Sequence, residues 1–562
     1  MTLRLRPQLI LPALVLSGLF SIFPAAPAAA RDRTDPARLS DITRELASDP
    51  YAGRAPGGPG EAKTLAYLEA AFRKLGLEPA GPGGSFLQPV PLIRTQLASD
   101  GRFAVSGPKG ETVLASGRDI SVISLLPVDR VTVQDAPMVF VGYGVTAPER
   151  RWDDYKGVDL RGKVAVFLIN DPDFEATAAD AVAGQFGGRA ATYYARWTYK
   201  FEEAVRRGAI AALIVHQTEG AGYGWSTVIA SAGEGYDVAR PRPEAERLPL
   251  QGWLSADASA RLFSAAGLDL AALRQKARSA DFRPVELKGM RFRAEVGVAH
   301  SRFDSHNVIA RLPGRSRPDE TVMVAAHWDA YGEGPPDAQG RRIRPGAIDD
   351  ALGVAGVLET ARLLARERRP ERSVLFALWT AEERGLLGSE HFGANPTVPL
   401  ERMAANLTLD ILQTAGPARD VVLVGAGQSE LDDLLAEAAR RQKRTVTPDA
   451  RPERALFFRA DHFSLARRGV PALLLMGLGG GADLVQGGRA AGDAWVTAYT
   501  DGCYHKTCDA WSADWDLRGA AADVDLVVDV AGRLANSRQW PDWQPDSEFR
   551  SLREKSASAR RR

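Results

Sequence analysis

Apolar and polar residues alternate along this chain in three successive rhythms. Over residues 37–47 and 61–75 the apolar positions recur every three to four places, the repeat of one helical face, and the turn-rich stretch 51–60 parts the two predicted helices. From 98 to 298 the runs shorten and turns punctuate them. The segments 137–144 (PMVFVGYG), 163–169 (KVAVFLI) and 209–216 (AIAALIVH) predict strands, so this region reads as a mainly β inserted domain with a few helices. From about residue 307 buried strands alternate with apolar-faced helices. Strands are predicted at 321–326, 373–379, 406–412 and 472–476, and helices at 350–366, 385–392, 430–441 and 517–535. Near-continuous apolar strands of this kind predict an α/β fold, a mixed and mostly parallel sheet with helices on both faces. In such sheets ligands gather beyond the carboxyl ends of the strands. The polar stretch 546–562 is expected to be disordered.

The first thirty residues follow none of these rhythms. Arg4 and Arg6 precede an apolar run over 9–23, and Pro24 leads into the small-residue stretch AAPAAA at 25–30, which ends in Ala28–Ala30. This is the layout of a secretory signal peptide over 1–30, too short to be a spanning helix of ~20 apolar residues. The mature chain is expected in the periplasm or the medium, without a membrane anchor. Removing Arg4 and Arg6 moves the net charge from +1 to −1, and 25% of the 562 residues are charged. That balance calls for neither nucleic acid nor an anionic membrane as partner. The two cysteines, Cys503 and Cys508, form a lone close pair, which in an exported chain reads as a disulfide.

Polar residues interrupt the pattern at the predicted strand ends. Strand 321–326 runs into His327-Trp328-Asp329, strand 373–379 into Glu382-Glu383, and strand 406–412 carries Asp410. Gly346-Ala347-Ile348-Asp349-Asp350 enters a helix, and Tyr504-His505 sits between the cysteines. Taken singly, Asp349 or Asp350 reads as a helix cap, and Glu382-Glu383 as a solvated helix start. Together at one sheet edge these carboxylates would repel and desolvate one another unless a cation held them. Mixed imidazole and carboxylate sets suit zinc.

The ordered series HWD, GAIDDALGVAG, WTAEERGLLGSEHF, NLTLDIL, RADHFSLARRGVPALLL and CYHKTCD resembles the two-zinc aminopeptidase family, which groups secreted bacterial leucyl-type aminopeptidases with glutamate carboxypeptidases. The resemblance spans about 307–531, with the helical segment from Tyr51 also fitting. It implies a peptidase domain built from 31–97 and 299–545, acting on peptides with a free N-terminus. It assigns His327 and Asp410 to one zinc, Glu383 and His505 to the other, and Asp349 to both. Glu382 matches the general base, Tyr504 a residue that hydrogen-bonds the substrate carbonyl or oxyanion, and Asp329 the acid that orients the first histidine. It also implies a cis Asp349–Asp350 peptide. Asp350 stands where many relatives have Asn, Leu352 where they have Ser, and Ala330 removes a second histidine seen in some. Residues 98–298 resemble a protease-associated domain through FVGYGVTAPERRWDDYKGVDLRGKVAVFL and GAIAALIVH.

Outside that set, His216, His300, His306 and His391 read as structural or surface residues. Arg459 and Asp461 fall in a loop that lies near the site in the family. Three other functions share parts of the pattern. A glutamate-type carboxypeptidase uses the same metal set with basic groups for a substrate carboxylate. A glutaminyl cyclase-like transferase uses one zinc, which five ligands and an insert argue against. A binding module with a lapsed site would have no need of Glu382.

Overall fold

The computed structural model describes residues 33–560, together with Thr2; the signal peptide expected over 1–30 lies outside the described stretch. Among the described residues no helix is long and apolar enough to cross a membrane.

The main sheet runs in the order Glu234–Val238, Leu87–Leu97, Val285–Leu312, Arg372–Trp379, Arg317–His327, Met403–Asp410, Ala472–Met476, Asp420–Val424 and Thr445–Pro448. Its four central strands, from Arg372–Trp379 to Ala472–Met476, are parallel, and their registers pair His327 with Trp379 and Asp410 with Met476. Four carboxyl ends therefore open at one edge. The fold is the mixed, mostly parallel α/β sheet that the alternation predicts.

Helices cover both faces because each brings an apolar stripe. Pro36–Leu46 starts on Asp35, whose side chain accepts from the Ala37 amide. Its Leu39 and Leu46 bury against Leu352–Arg366, and Arg38 bonds the buried Glu359 at 2.6 Å. Leu431–Arg441 and Arg518–Ala535 extend this layer through Leu435 and Val527. On the opposite face Phe392 and Leu465 pack on Met323, Leu375 and Trp379.

A second sheet and a second core occupy the inserted region. Arg130–Phe140, Val164–Leu168, Ala211–Val215 and Leu250–Leu254 are parallel neighbours, flanked by the helices Trp197–Arg206 and Ala256–Ala265. The two sheets share one strand, Val285–Leu312, whose first half pairs with Arg130–Phe140 and second half with Leu87–Leu97. A boundary drawn at 298/299 falls inside that continuous strand. The alternation of polar and apolar residues does not break there, so no linker signal marks the passage between sheets.

Two expectations are corrected. The tail expected to be disordered from 546 is ordered as far as it is described: Arg550–Lys555 is helical, Phe549 is buried against Trp543 and Phe457, and the Arg553 guanidinium donates to the Met403 carbonyl at 2.9 Å. One aromatic anchor, Phe549, held by Trp543 and Phe457 outside the stretch, outweighs its polar composition. The other correction adds the helix Gly488–Gly502, which no expectation included; its glycine-rich start hides its period.

Candidate metal centre

The predicted site residues sit at the ends of strands and helices. His327 closes the strand Arg317–His327 and Asp410 closes Met403–Asp410, two adjacent parallel strands. Glu382 and Glu383 follow Arg372–Trp379, Asp349 lies in the turn before Leu352–Arg366, and His505 follows Gly488–Gly502. Five donors thus converge. His327, Asp349 and Asp410 offer atoms within 4.8 Å of one another, and so do Asp349, Glu383 and His505. Asp349 belongs to both groups: one oxygen lies 3.1 Å from His327 Nε2 and the other 3.2 Å from His505 Nε2. Glu383 completes the second set 3.2 Å from His505 Nε2, and Asp410 lies 3.8 Å from His327 Nε2.

The supports are as ordered as the donors. His327 Nδ1 lies 3.1 Å from the Asp329 carbonyl and 3.6 Å from its carboxylate, which leaves Nε2 to face Asp349. The Asp329 carboxylate also accepts from the Glu382 and Glu383 amides, at 3.0 and 3.3 Å, so one acid fixes both the histidine and the glutamate turn. Asp350 accepts from the amides of Gly353, Ile411 and His327, bracing three of the converging segments. The Asp349–Asp350 peptide is cis. Cys503 and Cys508 form a disulfide with Cα atoms 5.1 Å apart, closing the loop that carries Tyr504 and His505. The Tyr504 ring lies 3.6 Å from the His505 ring, and Tyr331 flanks the same imidazole at 4.4 Å.

Burial sets the electrostatics. It pushes the carboxyls of Glu382 and Glu383 well above their usual range, with neighbouring carboxylates adding to the push. Burial raises Asp410 as well. Asp349 is the exception: burial works against its charge, but hydrogen bonding to His327 and His505 holds it low. His327 is raised well above its ordinary value, since Glu382 and three aspartates outweigh its burial. The Tyr504 phenol is pushed up by burial and stays protonated. So many buried acids gathered around two imidazoles form a cation-binding arrangement, and Asp410 Oδ1 is buried without a hydrogen-bond partner. The mixed imidazole and carboxylate donors suit zinc.

Two further residues support the site, Arg54 outside every motif and Asp509 at the end of CYHKTCD with no role assigned to it. Arg54 is fully buried, and its guanidinium donates to the carbonyls of Leu46, Trp328, Pro345 and Gly346 at 2.7–2.8 Å, tying the His327 and Asp349 segments together. Its charge is pushed down to about 10 by burial. Asp509 accepts from the amides of Ile348 and Asp349 and from the Tyr499 hydroxyl. Arg54 sits in a stretch that reads only as a turn, and Asp509 looks like one more acid after a cysteine. Arg459 lines the same cleft as Asp349, Glu382, Asp410 and Tyr504, while Asp461 is buried nearby, raised to about 8 by that burial. The other histidines stay outside. His216 packs among Trp225 and Trp253, His300 and His306 pair with Asp129 and Glu61, and His462 is buried against Phe457.

Residues 307–528 match the model of peptidase family M28. An aminopeptidase of Pseudomonas aeruginosa is 31% identical over 270 residues, covering 43% of this chain and 47% of that protein. Leupeptin-inactivating enzyme 1 of Streptomyces exfoliatus is 27% identical over 212 residues, 36% of this chain and 43% of its own. The chain thus spans less than half the length of these relatives. Among solved structures, the aminopeptidase from Aneurinibacillus sp. strain AM-1 aligns over 90% of this chain and 94% of its own, with 20% identity and a TM-score of 0.49.

Proposed function

We propose, from the premise that residues 307–528 form a peptidase family M28 domain, that this chain is an exported two-zinc aminopeptidase. The observation that carries the reading is the divided carboxylate of Asp349, which turns one oxygen to His327 and the other to His505. Two donor sets that share one carboxylate make a two-ion site. In this reading His327 and Asp410 hold one ion, Glu383 and His505 the other, and Asp349 both. Zinc bound there would polarise the scissile carbonyl and acidify a water at the shared position.

The chain's own residues supply the rest. Glu382 takes the proton of the attacking water and returns it to the nitrogen of the cleaved bond. Glu382 lines the cleft together with Asp349 and Asp410, where its carboxylate can accept that proton. The protonated Tyr504 hydroxyl donates to the oxygen that gains charge at the carbonyl. Asp329 acts through others, orienting His327 and the Glu382 turn. The acidic cleft provides a countercharge for a substrate ammonium, which favours a free N-terminus. The signal-like leader and the Cys503–Cys508 disulfide both suit an oxidising compartment.

Metal content and two substrates test this together. The purified protein should hold about two zinc ions per chain, lose activity to a chelator and cleave a free-amine dipeptide amide but not its N-acetyl form. Full activity with one ion or fewer, or equal cleavage of the acetylated peptide, would overturn it.

A further inference from the structure

The two imidazoles of the centre are held in different ways. The His327 side chain is 2% exposed and has the Asp329 carbonyl on its Nδ1. The His505 side chain is 29% exposed, and its contacts with Asp349 and Glu383 both use Nε2. Among the described residues no protein group hydrogen-bonds the His505 Nδ1. A zinc-binding imidazole is ordinarily aimed by a bond on its other nitrogen, and solvent in that place sets no fixed direction.

Rings hold His505 instead. Tyr504, its neighbour in the disulfide loop, lies 3.6 Å away, and Tyr331 reaches it from a separate segment at 4.4 Å. Tyr331 opens the hairpin in which Gly332 pairs with Arg344 and Glu333 with Ile343. That hairpin meets the disulfide loop at a second point, where the Thr507 hydroxyl donates to the Asp337 carboxylate. Its base is fixed by the Ala330 amide, which donates to the Arg54 carbonyl at 3.3 Å. The guanidinium of Arg384, the residue after Glu383, lies over the Tyr331 ring at 5.1 Å and over the Tyr236 ring at 4.8 Å. Among the described residues Arg384 has no hydrogen bond or ion pair, so these two rings are its partners. Tyr236 belongs to Glu234–Val238, the edge strand that the inserted region adds beside Leu87–Leu97. Ring faces are negative, so Tyr331 attracts both a guanidinium and an imidazole whose lone pair is given to a cation.

We propose that Tyr331, backed by Arg384 and Tyr236, is a positioning residue for His505, and that this stack takes the place of the hydrogen bond that aims His327. The inserted region is thereby joined to the metal centre through Tyr236. The inference rests on the two-zinc reading and deepens it. Tyr331 raises the affinity for the ion held by Glu383 and His505 and leaves the other ion alone.

The test is a calorimetric titration of zinc into the metal-stripped full chain. Tyr331→Leu should weaken one of the two ions by about 10-fold or more, the range for removing a ligand's support, and leave the other within about twofold. Tyr331→Phe keeps the ring and should keep both affinities. Arg384→Gln should weaken the same ion about two- to fivefold, the range of an exposed cation–π contact, and Arg384→Lys should keep part of that affinity. Because Arg384 acts through the ring, Arg384→Gln should add nothing once Tyr331→Leu is present. A Tyr331→Leu chain that unfolds more easily in urea yet binds both ions as the natural chain does would overturn the proposal. So would equal weakening of both ions, or a loss in Tyr331→Phe as large as in Tyr331→Leu. If Tyr331→Leu does not fold, Arg384→Gln and Arg384→Lys decide on the same readout. A natural chain that takes up one ion at most counts against the two-zinc reading, and the stack then stands only if Tyr331→Leu weakens that ion.

Discussion

At the scale of single residues the site turns on how buried charges are balanced. Glu382→Gln keeps the shape and removes the proton acceptor. Turnover should fall at least ~100-fold with zinc content unchanged, and near-normal turnover would remove Glu382 from its role as base. Arg54 raises a different question, since it touches no donor atom of the site. Arg54→Met would strand four carbonyls that its guanidinium now satisfies, at a cost of several kcal/mol, about 1–3 for each buried group left unpaired. Denaturant unfolding should show that loss together with weaker zinc retention; an unchanged midpoint would contradict it. His462 supplies a pH dependence. Burial pushes its imidazole down to about 3, so the folded chain excludes a proton that the unfolded chain accepts below ~6.5. Its contribution to stability is therefore complete above pH 6.5 and lost as pH falls toward 3. Between pH 7 and 4.5 the natural chain should lose about 2–3 kcal/mol more than His462→Leu, measured by urea unfolding of both. Parallel losses would show that His462 takes up its proton in the folded state.

At the scale of elements the loop between Cys503 and Cys508 is the clearest case of local structure serving chemistry. So short a covalent loop removes little entropy from the unfolded chain, so its effect on the whole fold is small. Its effect on where Tyr504 and His505 point is large. A Cys503→Ser/Cys508→Ser chain should melt only slightly lower, as followed by circular dichroism, yet bind zinc more weakly or turn over more slowly. Unchanged metal content and kinetics would refute this. The strands and helices of the main sheet were legible because burial on both faces leaves continuous apolar runs, and polar residues at their ends stand out. His327, Glu383 and Asp410 stood out at strand ends for the same reason, whereas Asp349 and His505 gained their roles only from the family resemblance. The roles of Arg54 and Asp509 were not legible, because Arg54 donates to backbone carbonyls and Asp509 accepts from backbone amides, and a backbone partner leaves no mark on the sequence. The strand Val285–Leu312 was missed as one element because its two halves serve different sheets and bury different faces. The tail was misread for an opposite reason: Trp543 and Phe549 matter more than the polar residues around them.

At the scale of the whole molecule the shared strand is decisive. Among the described residues, 34–560 form one compact unit, with Val285–Leu312 hydrogen-bonded into both sheets. Neither sheet can lose that strand without the other losing its neighbour. Calorimetry should therefore give a single transition whose calorimetric and van't Hoff enthalpies agree. Two well-separated transitions would mean that the inserted region melts independently.

The reach of the Arg54 and Asp509 bonds also sets an order in time. Arg54 closes on carbonyls near residues 328 and 346, and the peptide at 348–349 then hangs from Asp509. A ribosome adds ~5–20 residues per second, so on the order of half a minute to a minute and a half separates the making of residue 54 from that of residue 509. For the last ~5–20 s of that interval, while residues 411–509 are added, the growing chain carries Asp349, Glu382, Glu383 and Asp410 without the Asp509 carboxylate that aims the 348–349 peptide. On the proposed reading, a chain cut short before residue 509 should therefore be inactive, and peptide cleavage by such a truncated chain would contradict this order.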